Sequence, residues 1–166
     1  MRWIPRQRMV RGYSMRQAWN RTCAPSMGVR NPHSIRPYQH VLEPLSAYLM
    51  IAESQYENLA VAGNYNIGPE DSDCVTTGEI ADMFCTAWGN GMSWKAVSVE
   101  TSHEANFLRL DCSKARLVLG WKPRWHIREA VVKTVEWAKA YQAGENLSKL
   151  MERQVLEYFE DRECFL

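Results

Sequence analysis

The feature that most constrains this chain is an abrupt change of pattern at Arg30. Before it, Met1 to Gly28 holds no sustained periodicity; Trp3, Trp19 and four methionines are scattered without a common face. That stretch reads as irregular, with at most one short helix near Ser14–Asn20. After Arg30, apolar residues recur at spacings that helices and strands can bury. The chain therefore divides into a basic head, residues 1–29, and a folded body, residues 30–166. Charge follows the same division. Met1 to Leu42 carries eight arginines and no acid, while the remainder carries twelve Lys/Arg against nineteen Asp/Glu. A basic head on an acidic body raises nucleic-acid contact as a possibility. However, the head has no recognised motif and no aromatic–basic alternation of the kind that holds single strands. No nucleic-acid partner is expected.

The body reads as mixed helix and strand. Asn31-Pro32 is a turn, followed by an extended segment from Ile35 to Leu42. Leu45, Tyr48, Leu49 and Ala52 then fall at helical spacing, predicting an amphipathic helix over Glu43–Asn58. Pro44 suits its first turn, where a missing N–H costs nothing. Asn64 to Ile67 reads as a brief strand stopped by Gly68-Pro69. Thr76 and Glu79 form a capping box that starts a helix running to about Trp88, ended by Gly89-Asn90-Gly91. Trp94–Val99 and Phe107–Leu110 look like strands. Asp111 or Ser113 caps a short helix that Gly120 stops. Two helices follow Pro123. The first presents Ile127, Ala130, Val131, Thr134, Ala138 and Tyr141 on one face and ends at Gly144. The second presents Leu147, Leu150, Met151, Val155 and Tyr158.

Chemistry by composition is sparse. The five cysteines are odd in number and include no CxxC, so neither a disulfide framework nor a zinc site is signalled. The four histidines form no HxxxH or HExxH pair, and no metal is assigned. No apolar run approaches the roughly 20 residues of a membrane helix, and the amino-terminal segment lacks the apolar centre of a secretory signal. A cytoplasmic location without membrane contact is the default expectation.

Three blocks carry more. The run Arg30-Asn-Pro-His-Ser-Ile-Arg-Pro-Tyr-Gln-His-Val-Leu-Glu-Pro-Leu45 resembles a signature of the CDP-glucose 4,6-dehydratase family. So does His103-Glu-Ala-Asn-Phe-Leu-Arg-Leu-Asp-Cys-Ser-Lys-Ala115, followed by Leu119-Gly-Trp-Lys-Pro123. Tyr65-Asn-Ile-Gly68 is shared more widely among extended short-chain dehydrogenase/reductases. The blocks stand in family order, and the resemblance runs from Arg30 to about Phe159. It implies an α/β fold of that class, but an incomplete one. The substrate-binding domain with its helices and short strands is expected, together with an orphaned helix and strand of the NAD domain.

The resemblance also implies roles. Arg36 matches an arginine that contacts the substrate diphosphate, a task for which the guanidinium fork is suited. Asn66 matches a residue near the nucleotide, where an amide can both donate and accept. His103 matches a position close to the sugar diphosphate. Arg109 is a weaker candidate, in a strand where it could equally face water. His40 and Glu43 stand beside the family site, in either a binding or a structural role. Glu100 replaces an arginine of the thymidine-sugar relatives, which points away from a dTDP substrate.

The absences matter as much. The family cradles the NAD pyrophosphate in a Gly-rich turn at a helix start. Here the only G-x-G is Gly89-Asn-Gly91, which follows a helix and has Trp94 at the third glycine position. The family's base is a Tyr with a Lys four residues on. Tyr158 comes nearest, but Arg162 follows it. The whole enzyme would oxidise the sugar at C4, eliminate water across C5–C6 and return hydride to C6, making CDP-4-keto-6-deoxyglucose with NAD. The residues for those steps have no match here, so no catalytic residue and no cofactor are assigned to this chain. Three readings remain open: a truncated or mis-started dehydratase, a non-catalytic module that binds CDP-sugars, and a subunit completed by a separate NAD-binding domain. In whole enzymes of the family the helix 43–58 and strand 64–67 complete the NAD domain. Alone, their apolar stripe lacks its cover, and the chain is expected to self-associate or to fold its head over that surface.

Overall fold

The computed structural model describes residues 26–97 and 106–160. Among these residues there are five α-helices and four short strands in two separate pairs. Strands β1 (Ser26–Val29) and β4 (Ser93–Ala96) run parallel, Ser26 opposite Ser93. Strands β2 (Ile35–Arg36) and β3 (Val75–Thr76) pair antiparallel, Arg36 opposite Val75. The β1 strand begins inside the stretch expected to be irregular; its neighbour in the sheet lies far along the chain, which local pattern cannot reveal.

The helices are α1 (Leu42–Glu57), α2 (Thr77–Trp88), α3 (Ser113–Leu119), α4 (Ile127–Ala143) and α5 (Leu147–Glu160). Their ends follow local chemistry. At α2, Glu79 N donates to Thr76 Oγ1 at 3.1 Å and Thr76 N donates to Glu79 Oε2 at 2.7 Å. This is the expected capping box, and its bonds hold the Glu79 carboxyl below its ordinary range. At α3, Ser113 N donates to Asp111 Oδ1 at 2.9 Å. Gly120 and Gly144 take left-handed conformations, φ 64° and 71°, where other residues are strained. At α1 no side chain of the usual capping types is present. Instead Leu42 N donates to His40 Nδ1 at 3.3 Å, Glu43 N to His40 O and Leu45 N to Val41 O. Pro44 has no N–H, so the first turn of α1 leaves no backbone donor without a partner.

Two cores result. One packs Trp88 of α2 against Ile127, Val131 and Val135 of α4, flanked by Ile80, Phe84 and Ala138. The other packs Ala47 of α1 against Ala115 of α3 and Trp121, flanked by Met50, Tyr65 and Ile67.

Four expectations need correction. The segment after Arg36 is not strand, because Pro37 cannot extend the ladder. Asn64–Ile67 forms no ladder among the described residues. Its carbonyls are taken by side chains instead, Asn64 O by Lys114 Nζ and Ile67 O by Gln39 Nε2. Among the described residues Phe107–Leu110 makes one bridge, Phe107 with Ile35. Finally, the buried faces of α4 and α5 agree with the expected ones at Ile127, Ala130, Val131, Leu150 and Tyr158 and differ elsewhere. On α4 Val135 is inside, while Thr134 and Tyr141 are exposed. On α5 Gln154 is inside and Met151 and Val155 are exposed, because the Gln154 amide donates to Lys133 O and Glu136 Oε2, both at 3.0 Å.

Candidate functional site

Strand β2 lies between β3 and the run 106–111. Ile35 N donates to Asn106 O at 2.9 Å, and Leu108 N donates to Ile35 O at 3.1 Å. Arg36 is therefore held at a fixed place beside that run. It is half-buried, and its Nη1 donates to Ile35 O at 2.9 Å. No carboxylate among the described residues is within ion-pair distance of it. Arg109 lies further along the same run, exposed, with its guanidinium 5.1 Å from the Phe107 ring centroid. Asn66 reaches the end of the run, where Nδ2 donates to Asp111 O at 3.1 Å. The 106–111 segment thus contains Arg109, takes a bond from Asn66 at its end and pairs with Ile35, the neighbour of Arg36. The residue types of Arg36, Arg109 and Asn66, two guanidiniums and one amide, can meet phosphate oxygens and a ribose or base.

His40 stands apart from these three. It is 8% exposed, its ring 4.8 Å from that of Trp125, and its Nδ1 accepts from Leu42 N. Burial, with Lys133 nearby, lowers its pKa and keeps the ring neutral. His103, with Glu100 and Glu104, lies outside the described residues.

Glu43 proves to be the best-connected side chain near this region. It is fully buried, and its carboxyl accepts from Arg124 N at 3.1 and 3.2 Å, Trp125 N at 2.8 Å and Tyr158 Oη at 2.8 Å. Tyr158 Oη also lies 2.9 Å from Ser46 Oγ, which accepts from Trp121 Nε1 at 3.3 Å. Burial, reinforced by Glu43, pushes the Tyr158 phenol well above its ordinary range. A phenol so enclosed is neither accessible nor poised as a base. Sequence reading places Tyr158 on a buried helix face but misses its partner, because nothing local joins position 43 to position 158. A second link missed in the same way is Asp73, whose Oδ1 accepts from Ile127 N and whose Oδ2 pairs with His126 Nδ1 at 2.8 Å. It caps α4 from another element.

A cleft of about 400 Å³ opens elsewhere, between α1 and the loop before α4, lined by Leu49, Met50, Glu53, Trp121, Lys122 and Phe159 among others. It contains none of the residues expected to bind substrate. Among the described residues no cluster of three or more His, Cys, Asp or Glu could hold a metal, and no helix is long and apolar enough to cross a membrane. The Gly89-Asn-Gly91 turn sits at the carboxyl end of α2, with Gly89 N donating to Cys85 O. Phosphate there would meet carbonyl oxygens rather than free N–H groups, so these residues do not fit an NAD pyrophosphate.

The chain is 44% identical over 131 residues to CDP-glucose 4,6-dehydratase of Salmonella typhimurium strain LT2. That match covers 78% of this chain and 36% of the Salmonella protein, so the chain spans about a third of its curated relative. The resemblance seen in the sequence is thereby borne out. No protein-family model matches. Among solved structures, UDP-glucose-4-epimerase of Stenotrophomonas maltophila, with bound NAD and formylated UDP-arabinopyranose, aligns with a TM-score of 0.60. Its identity is 20%, over 72% of this chain and 37% of the epimerase. UDP-N-acetylglucosamine 4-epimerase of Bacillus cereus aligns at 0.50 and 19% identity, over 67% and 37%. The fold is α/β and matches these extended short-chain dehydrogenase/reductase structures over part of their length. In sequence and fold together, the chain is similar to part of the nucleotide-sugar dehydratases and epimerases.

Proposed function

We propose that this chain is the carboxy-terminal, nucleotide-sugar-binding portion of a CDP-glucose 4,6-dehydratase. One observation carries the reading: the 131-residue match at 44% identity includes part or all of the segments that hold the candidate binding residues. Arg36 is the residue to meet the diphosphate, with Arg109 on the 106–111 run and Asn66 bonded at its end. His103 and His40 are the further candidates for binding the nucleotide sugar. The whole protein of this kind is a lyase that uses NAD. Among the described residues the Gly89-Asn-Gly91 turn does not fit a pyrophosphate and the Tyr158 phenol is enclosed, which supports the reading that this chain alone binds no NAD and is inactive. Its expected compartment is the cytoplasm.

The exposed side of α1 supports the same reading. Leu45, Tyr48 and Leu49 are 47%, 59% and 67% exposed. An apolar stripe of this kind needs a cover, and the NAD-binding remainder of the relatives is the partner proposed for it. Without that partner, a second copy of the chain takes its place.

Calorimetric titration tests the proposal. CDP-glucose should bind weakly, and Arg36→Ala should weaken it by about 1.5–3 kcal/mol, as for a hydrogen bond to a charged group. Undiminished binding by the Arg36→Ala chain, or micromolar one-site binding of NAD, would overturn it.

A further inference from the structure

Why should a helix that presents Leu45, Tyr48 and Leu49 to solvent bury a glutamate completely? A carboxyl group removed from water is costly unless donors surround it. Here three surround Glu43, two of them backbone amides of consecutive residues and the third the phenol of Tyr158. The arrangement fixes α1 relative to both the 124–125 segment and α5. It also sits at the end of the Arg36–His40 run, since Glu43 N donates to His40 O at 3.1 Å. Trp125, whose amide Glu43 holds, forms the wall against which the His40 ring packs, and its ring lies 5.1 Å from that of Tyr158. Tyr158, Glu43, Trp125 and His40 are thus in contact in turn, and His40 is four residues from Arg36.

We infer that Glu43 and Tyr158 are positioning residues for the nucleotide-sugar site, with α5 setting the place of the Arg36–His40 run without touching ligand. The inference rests on the reading of Arg36 given above, and its first readout is independent of any ligand. Tyr158→Phe removes one hydroxyl and keeps the ring. In the variant, the imidazole resonances of His40 and the guanidinium resonance of Arg36 should shift. The indole resonance of Trp88, in the other core, should stay in place. The second readout is calorimetric titration with CDP-glucose. Tyr158→Phe should bind roughly threefold to tenfold more weakly, the effect of one lost hydrogen bond. Ser46→Ala loses a neighbouring contact to the same phenol and provides a gentler variant should Tyr158→Phe fail to fold; its resonances should move in the same sense. Unmoved His40 and Arg36 resonances in a folded variant overturn the inference. If they move but the parent chain binds no CDP-glucose, the positioning link stands and the functional reading fails.

Discussion

Helices α1 and α4 are similar in length, yet each buries the opposite kind of surface. Helix α4 places Ile127, Val131 and Val135 against Trp88 and leaves Arg128, Glu129 and Lys139 exposed. Helix α1 places Glu43, Ser46 and Ala47 inside and leaves Leu45, Tyr48 and Leu49 outside. The first is held by apolar contact, which is tolerant of small shifts. The second is held by directional bonds to Arg124, Trp125 and Tyr158, which are not. An apolar stripe therefore tells what a helix is suited to cover, and the partner present decides what it does cover.

The largest effect should come from breaking either anchorage. Glu43→Ala would leave the Arg124 and Trp125 amides without their acceptor and Tyr158 with Ser46 alone, and should cost about 3–5 kcal/mol, read by urea unfolding. Trp88→Ala should cost a similar 3–5 kcal/mol by emptying the other core. If Glu43→Ala is nearly neutral, α1 is not held by its polar side and the contrast fails.

Next is the bare stripe. Leu45→Glu with Leu49→Glu should shift the chain towards monomer in sedimentation velocity without lowering its stability by more than about 1 kcal/mol. A parent chain that stays monomeric at high concentration would show that the stripe needs no cover.

Hydrogen exchange sharpens the comparison further. Amides of Glu43–Ile67 should exchange faster than those of Ile127–Tyr158 in a dilute monomeric sample, since α4 packs on both α2 and α5. Equal protection would show one cooperative unit.

The smallest effect is with pH, and it should act on the two helices in opposite directions. The Asp73 bond raises the pKa of His126 above its ordinary value. Its stabilisation of the α4 start is full below about pH 6.5 and is lost as pH rises through the raised value. His40 is lowered by burial and by Lys133. Its contribution at α1 is full above about pH 6.5 and is lost as pH falls through the lowered value. Acid should therefore loosen α1 and favour the α4 start in exchange measurements. The stability difference between parent and His126→Asn should shrink from about pH 5 to about pH 8.5. It should remain modest, because the His126 side chain is 73% exposed.

Much of this was legible in the sequence where the cause is local. The capping box at Thr76 and Glu79, the left-handed glycines at 120 and 144, and the extent of all five helices rest on residues within a turn of each other. Strand pairing was not legible, because β1 finds β4 only through the fold, and Asn64–Ile67 has no strand to pair with among the described residues. Leu150 and Tyr158 stood on the expected inward side of α5, but Gln154 there and Glu43 on α1 were missed for one reason: their polar atoms are satisfied by distant partners. At the site, Arg36, Asn66 and Arg109 could be named from resemblance. That the 106–111 segment takes a bond from Asn66 and pairs with the neighbour of Arg36 is a property of the fold alone.

The bond between Tyr158 and Glu43 joins positions 115 residues apart. During synthesis, α1 leaves the ribosome long before α5 exists. Through that interval Glu43 has no phenol to meet, and Arg124 and Trp125 are not yet made. Helix α1 cannot settle its polar side first, whereas α2 needs only α4 to close its core. Contacts so distant in the chain form late and slow the approach to the native state. Helix α5 is made after α1 and completes it.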